Sequence, residues 1–348
     1  MLYNKFTTVR QAKKLAKTKL IEGQYQWLIS GAEDEFTTDK NIEDLNKIKI
    51  IPNVLRKIRS VDYNRKFLGK TIKSPLILAP MGHQSQFHRM GETEMAKGIH
   101  EYGTIGFFST QSRYDFNYIR EKNKNSMLVW QIFLFGEKKW ILNEIKKAEN
   151  NNSLAIAICL DGSTRSHRYN DRESFYDARK FGVFKITPPP DQTKDRNYDW
   201  EIIKWIKGKT KLPIILKGIL NYKDVKIAIK YGIKNIWISN HGGRMLNSGI
   251  SSAEALIKIK KKIKKKIFII VDGGVNKGSD IIKYLCLGAD IVGIGRPAIY
   301  GLTLDGHKGV SKIFEILESE FRSAMINAKF SSLEDLKPNK ISHNIKEY

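Results

Sequence analysis

The sequence predicts a (β/α)8 TIM barrel with an N-terminal helical extension and a C-terminal helix. Three observations carry that prediction. Eight short apolar, β-branched runs alternate with helical periodicity along one chain of 348 residues. Polar groups recur at the carboxyl ends of those runs, the rim on which a barrel builds its site. No Gly-x-Gly-x-x-Gly follows the first run, which removes the main support for an open, doubly wound sheet.

In chain order the strands are Leu76–Ala79, Thr104–Phe108, Leu128–Ile132, Ala155–Leu160, Ile214–Lys217, Asn235–Ser239, Ile267–Val271 and Ile291–Ile294. Helices are expected over Glu92–Tyr102, Phe116–Lys122, Glu137–Ala148, Trp200–Lys207, Lys223–Tyr231, Ala253–Ile263 and Ser279–Leu287. Residues 1–348 read as one domain. Residues 1–70 form the extension, with two short helices within 7–30. A terminal helix covers 308–328, and a basic tail covers 330–348. The irregular stretch 161–198, containing Pro188-Pro189-Pro190, follows the fourth strand and is long enough to be a functional loop.

Composition narrows the function classes. Lys and Arg number 61 against 36 acidic residues, a net charge of +25. Such an excess reads either as a solvated basic surface or as a field that draws in an anionic substrate. No nucleic-acid-binding motif accompanies it, and no apolar run is long enough to span a membrane. The N-terminus lacks a secretory pattern, and Cys159 and Cys286 make neither a disulfide framework nor a metal spacing. A reduced, cytoplasmic protein without a metal is expected.

The strand ends supply the chemistry. Ser239-Asn240-His241-Gly242-Gly243-Arg244 places a proton-transfer group and a guanidinium fork on one turn, a pairing suited to a carboxylate ligand. Asp272-Gly273-Gly274 and Gly295-Arg296 follow the last two strands, where barrels bind phosphate on backbone N–H groups. Lys217 ends an apolar strand, where an ammonium needs a partner or a chemical role. It could form a Schiff base, stabilise charge on a cofactor, or make a rim ion pair. Asp161 is placed either to orient His241 or to cap a loop, and Arg168 is a second carboxylate fork or a surface charge. His83, His88 and His167 lack ligand spacing and read as polar surface.

These segments resemble the FMN-dependent α-hydroxy-acid oxidase/dehydrogenase family, which includes glycolate and lactate oxidases. Ser30-Gly31-Ala32-Glu33-Asp34, Leu78-Ala79-Pro80, Lys217-Gly218, Ser239 through Arg244, Val271 through Val275 and Gly295-Arg296-Pro297 carry the resemblance along nearly the whole chain. It implies an FMN barrel. His241 would be the base as hydride passes to flavin N5, with Asp161 paired to it. Arg244 and Arg168 would bind the substrate carboxylate, and Lys217 would stabilise the reduced ring. Pro80, Met81, Gly82, Ser109, Gln131, Cys159 and Ser239 would lie at the flavin ring, and Asp272 at the ribityl chain. Gly273, Gly274, Asn276, Gly295 and Arg296 would lie at the phosphate. Family likeness also implies a homotetramer.

Departures from the family pattern bear on the substrate. Trp27 and Phe133 stand where the family usually has tyrosines that offer hydroxyls to the substrate. Asn276 replaces an arginine on the phosphate side, and Gly82 resembles the dehydrogenase and monooxygenase members. The loop 161–198 is shorter than the family's usual lid. The leading reading is oxidation of a 2-hydroxy acid or related α-substituted carboxylate. The alternatives are a tailoring enzyme acting on a peptide or biosynthetic intermediate, and a non-catalytic flavin scaffold.

Overall fold

The computed structural model describes residues 6–164, 166–176 and 198–345. Three helices precede the barrel: α1 (Val9–Lys19), α2 (Glu22–Ile29) and α3 (Phe36–Lys47). Thr8 caps α1 through its side chain, and Lys17 and Lys19 lie in its last turn against the helix dipole. Strand β1 (Lys49–Ile50) leads to the hairpin β2 (Arg65–Phe67) and β3 (Lys70–Ile72). Phe67 and Ile72 of that hairpin belong to the apolar cluster that fills the barrel.

The barrel alternates β4 (Leu76–Met81), α4 (Gly91–Tyr102), β5 (Ile105–Ser109), α5 (Phe116–Lys122), β6 (Met127–Phe133), α6 (Lys138–Asn150) and β7 (Ile156–Cys159). After the short α7 (Tyr169–Glu173) come α8 (Glu201–Lys207), β8 (Ile214–Ile219), α9 (Tyr222–Lys230), β9 (Asn235–Ile238), α10 (Ser252–Lys262), β10 (Phe268–Val271), α11 (Gly278–Cys286), β11 (Ile291–Ile294) and α12 (Arg296–Asn327). Strands β4 through β11 pair in parallel, and β11 closes on β4. The eight expected strands are the eight that form the barrel, with ends shifted by a residue or two.

Two faces of each strand explain its near-continuous apolarity. Ile77, Phe107, Val129, Ala157, Ile215, Trp237 and Ile270 fill the interior, and the alternate residues pack under the helices. Trp237 meets Phe107 edge to face at 4.8 Å and plugs the middle of the barrel. The register slips between Leu78 and Met81, and again between Lys217 and Ile219. Both irregularities lie at the carboxyl rim, where a bulge re-aims side chains.

The extension and the tail differ from expectation. Helix α3 is a third helix of the extension; its buried residues are Thr37, Asn41, Asp44 and Leu45, so its inward face is mostly polar and hides from hydrophobic periodicity. The terminal helix begins at Arg296 and is interrupted at Asp305-Gly306, joining the eighth barrel helix to the expected 308–328 segment. The basic tail is docked: β12 (Ile341–Ser342) pairs antiparallel with β1, and Leu336, Ile341 and Ile345 are buried. The region 161–198 is described in part, and Pro188-Pro189-Pro190 falls outside the described residues.

Candidate active site

The carboxyl rim surrounds a cavity of about 1090 Å³, above the roughly 300–1,000 Å³ of an ordinary small-ligand pocket. His241 follows β9 on a left-handed turn, with φ of 58°. A non-glycine residue in that region is held by its surroundings. Its backbone N–H donates to Ser239 Oγ at 3.1 Å, and its ring Nδ1 lies 3.0 Å from Asp161 Oδ1. Asp161 follows β7. Gly218 makes room for it, because a Cβ there would come 2.7 Å from the Asp161 Cβ, and its φ of +104° also favours glycine.

Lys217, buried on β8, donates to Ser239 Oγ at 3.0 Å and lies 4.0 Å from Asp272 Oδ2. Burial alone would depress its pKa, but the charges of Asp161 and Asp272 outweigh it and hold the ammonium above its ordinary range. The reciprocal holds at Asp161. Burial pushes its carboxyl up, yet Lys217, His241 and the bonds from His241 and Cys159 hold it well below the usual range. Asp272 goes the other way: burial raises it, and Lys217 and Ser239 offset that only partly. Burial, then Asp161, pushes the Cys159 thiol well up.

The arginines sit differently from a pair of free forks. Arg244 Nη1 donates to the carbonyls of Trp27, Leu28 and Ser30 at 2.9–3.2 Å, and its guanidinium covers the Trp27 ring at 4.8 Å. Arg296 Nε and Nη2 reach Leu28, Ser30 and Gly242 carbonyls. Both cations thus hold the carboxyl end of α2, a favourable placement for positive charge. Enclosure pushes both guanidinium pKa values down, and Arg168 adds to the effect at Arg244. Arg168 precedes α7, pairs with Asp171 at 2.9 Å and approaches the other side of the Trp27 environment, 5.5 Å from the ring.

The remaining expected residues gather on the same cavity. Pro80, Met81, Gly82, Ser109, Gln131 and Phe133 line it from the ends of β4, β5 and β6. Asp272, Gly273, Gly274, Asn276, Gly295 and Arg296 line it from the turns after β10 and β11. Phe133 stacks on Phe135 at 4.8 Å and stands 6.1 Å from the His241 ring. Cys159 and Ser239 are buried just behind the lining, Cys159 donating to Asp161 at 3.0 Å. One expectation is corrected: His83 is not plain polar surface. It lines the cavity and meets Trp27 edge to face at 5.7 Å. His88 is half-buried as well, accepting from the Met90 N–H.

Sequence reasoning also missed Gln111, Phe135, Tyr176 and Asn41. The first three line the cavity from loops after β5, β6 and β7. No spacing rule marks them, because each belongs to a loop whose path only the closed barrel fixes. Asn41 exchanges amide bonds with Asn240 and stands under the Gly274 backbone.

The fit to a phosphorylated, polar-ringed cofactor rests on two orphaned groups. Gln131 Nε2 and Asp272 Oδ1 are buried and have no partner among the described residues, and both residues line the cavity. Buried polar atoms of this kind require partners. Gln131 and Lys217 would meet the ring of the cofactor, Asp272 its polyol, and the glycine-lined turns after β10 and β11 its phosphate.

Fold and site together define a class: parallel barrels that hold a phosphorylated redox cofactor across the carboxyl rim beside a His–Asp dyad. The family model described as FMN-dependent dehydrogenase matches residues 16–343. The chain is 30% identical over 352 residues to a peroxisomal (S)-2-hydroxyacid oxidase of Arabidopsis thaliana, covering 97% of each. An L-lactate oxidase of Nostoc sp. is 30% identical over 345 residues, covering 93% of this chain and 94% of that protein. Among solved structures, mandelate oxidase with (S)-2-phenylpropionate superposes with a TM-score of 0.87 at 26% identity, covering 98% of this chain and 99% of that one. The protein therefore belongs to the FMN-dependent dehydrogenase family of 2-hydroxyacid oxidases, and FMN is its cofactor. No helix among the described residues is long and apolar enough to cross a membrane.

Proposed function

We propose that this protein oxidises a 2-hydroxy acid whose side chain is apolar and larger than that of lactate, with His241 as the base. The carrying observation is the dyad: Nδ1 of His241 is held by Asp161, so the other ring nitrogen is free to accept the substrate hydroxyl proton. When bound, FMN supplies the two-electron acceptor. Asp161 stabilises the imidazolium that forms and keeps the ring oriented. Lys217, buried and held as a cation, stabilises negative charge that develops at the cofactor side of the cavity. The remaining face of Arg244, together with Arg168, orients the substrate carboxylate.

The substrate preference follows from the walls. Trp27, Phe133 and Phe135 line the cavity without a hydroxyl among them, and the Phe133 ring stands 6.1 Å from that of His241. A small hydroxy acid leaves that surface wet, whereas an apolar side chain buries it. A larger substrate, such as a peptide end or a biosynthetic intermediate, is the second reading; exposed Phe36 and Leu246, with Ile42 on the cavity wall, favour it by extending the apolar surface outward. Anaerobic flavin reduction, followed across a series of 2-hydroxy acids, tests both. Fastest reduction by glycolate or lactate overturns the preference, and unchanged reduction in His241→Gln overturns the role of the base.

A further inference from the structure

The thiol beside the dyad has no part in the chemistry above. Cys159 Sγ is 3.0 Å from Asp161 Oδ1, and His241 Nδ1 is 3.0 Å from that same oxygen. The third edge, Sγ to Nδ1, is 3.9 Å. A tetrahedral zinc with bonds of about 2.0–2.3 Å sets its donors roughly 3.3–3.8 Å apart. The three atoms thus stand within a few tenths of an ångström, in rough terms, of one face of such a tetrahedron. Asp161 Oδ2 is buried with no partner among the described residues. Of the three residues, His241 borders the cavity.

We propose that Cys159, Asp161 and His241 form a site for one thiophilic divalent cation, Zn²⁺ or Cd²⁺. Thiolate and imidazole select such ions over Mg²⁺ or Ca²⁺. Binding replaces the thiol proton with the metal: Cys159–SH and M²⁺ give a Cys159 thiolate–metal bond and a proton released to solvent, with no change of oxidation state. The neighbouring Lys217 ammonium opposes a second cation. Thiolate and carboxylate together balance the two charges of the metal, and Lys217 keeps Asp272 at 4.0 Å and Ser239 at 3.0 Å.

A functional consequence rests on the proposed role of His241. Metal on Nδ1 fixes the ring proton on Nε2, and a nitrogen that already carries a proton accepts none. Occupancy therefore turns the base off reversibly, while the cofactor stays in place.

The test uses FMN-loaded protein titrated with Cd²⁺, read by thiolate-to-metal ultraviolet absorbance, proton release and turnover. The expected result is one Cd²⁺ per chain, with turnover lost in parallel and restored by a chelator. Cys159→Ser should lose the absorbance and weaken Cd²⁺ by roughly 100-fold or more, since even outer partners of a metal site are worth 10–100-fold. Cys286→Ser, at the other thiol, should bind as the parent does. If Cys159→Ser does not fold, Asp161→Asn should keep a thiolate band at much weaker affinity. Absorbance that survives in Cys159→Ser, or no Cd²⁺ bound by the parent, overturns the site. Cd²⁺ bound through Cys159 with turnover unaffected supports the site and overturns His241 as the base.

Discussion

Asn41 and Asn240 exchange two amide hydrogen bonds, Nδ2 of each donating to Oδ1 of the other at 3.0 and 2.8 Å. The pair joins α3 to the residue preceding His241. Asn41 Oδ1 also accepts the Ser252 N–H, and Asn240 Nδ2 donates to the Ile250 carbonyl. The extension is therefore the back wall of the site. It fixes the turn on which the base rides.

Asn41→Ala removes one amide and leaves the buried Asn240 amide and the Ser252 N–H short of partners. Unsatisfied buried groups cost about 1–3 kcal/mol each. The expected outcome is a lower melting temperature and a turnover loss larger than the loss in FMN affinity, because the displaced turn carries His241. Equal losses in the two would show that the pair serves the fold alone.

Glu92, fully buried at the start of α4, joins the two loops that carry Gly82 and Gln111. Its Oε1 accepts the N–H groups of Gln84 and Arg113, at 3.2 and 3.3 Å, while Oε2 is buried without a partner among the described residues. Burial, opposed by those bonds and by the Arg113 charge, pushes its carboxyl from 4.5 up to about 7. The native state then holds a proton that the unfolded chain has lost, so stability falls as pH rises from 4.5 to about 7. A shift of that size corresponds to roughly 3 kcal/mol. Glu92→Gln should flatten this slope in urea titrations at several pH values; an unchanged slope would place the proton elsewhere.

Lys217 faces the enclosed carboxylates of Asp161 and Asp272, and Lys217→Met removes the main cation that both face. Breaking a buried ion pair in this way costs about 3–5 kcal/mol. Asp161 is depressed in the folded state, so its contribution is present above 3.8 and lost as pH falls below that value. The deficit of the variant should accordingly be full at neutral pH and shrink in acid. Denaturant titrations at the two ends check this, and a deficit independent of pH would remove the electrostatic account.

The barrel was legible because its strands are apolar on both faces and short, so each stands out against its helix. Much of the candidate site was legible for a related reason: His241, Lys217, Asp161 and Asp272 sit at or within a few residues of strand ends, where sequence position fixes spatial position. What stayed hidden lies off the strands. Helix α3 buries Thr37, Asn41 and Asp44, so its inward face carries no apolar stripe. Arg244 and Arg296 read as free anion forks, but folding commits part of each to the carbonyls that end α2. Those carbonyls come from a helix more than 200 residues away in the chain, and no local pattern announces such a contact.

Trp27 and Phe133 offer the sharpest test of specificity. Trp27 is packed among His83, Phe87 and the two guanidinium groups of Arg244 and Arg168. Phe133 rests on Phe135, in a position where Gly162 leaves space for its ring: a Cβ at Gly162 would come 2.5 Å from it. Neither ring offers a hydroxyl, so a lactate-sized substrate lacks the two polar contacts that tyrosines at these positions would supply. Restoring hydroxyls with Trp27→Tyr and Phe133→Tyr places donors against a small substrate and leaves polar groups unpaired against an apolar one. A pocket built to hydrogen-bond discriminates more strongly than one built on methylenes alone, whose differences are worth about 10–200-fold. The double variant should therefore raise kcat/KM for lactate relative to that for an apolar 2-hydroxy acid by at least about 10-fold. The gain should fall mainly in the reductive half-reaction measured without oxygen. A ratio that does not move would show that these walls do not select the substrate.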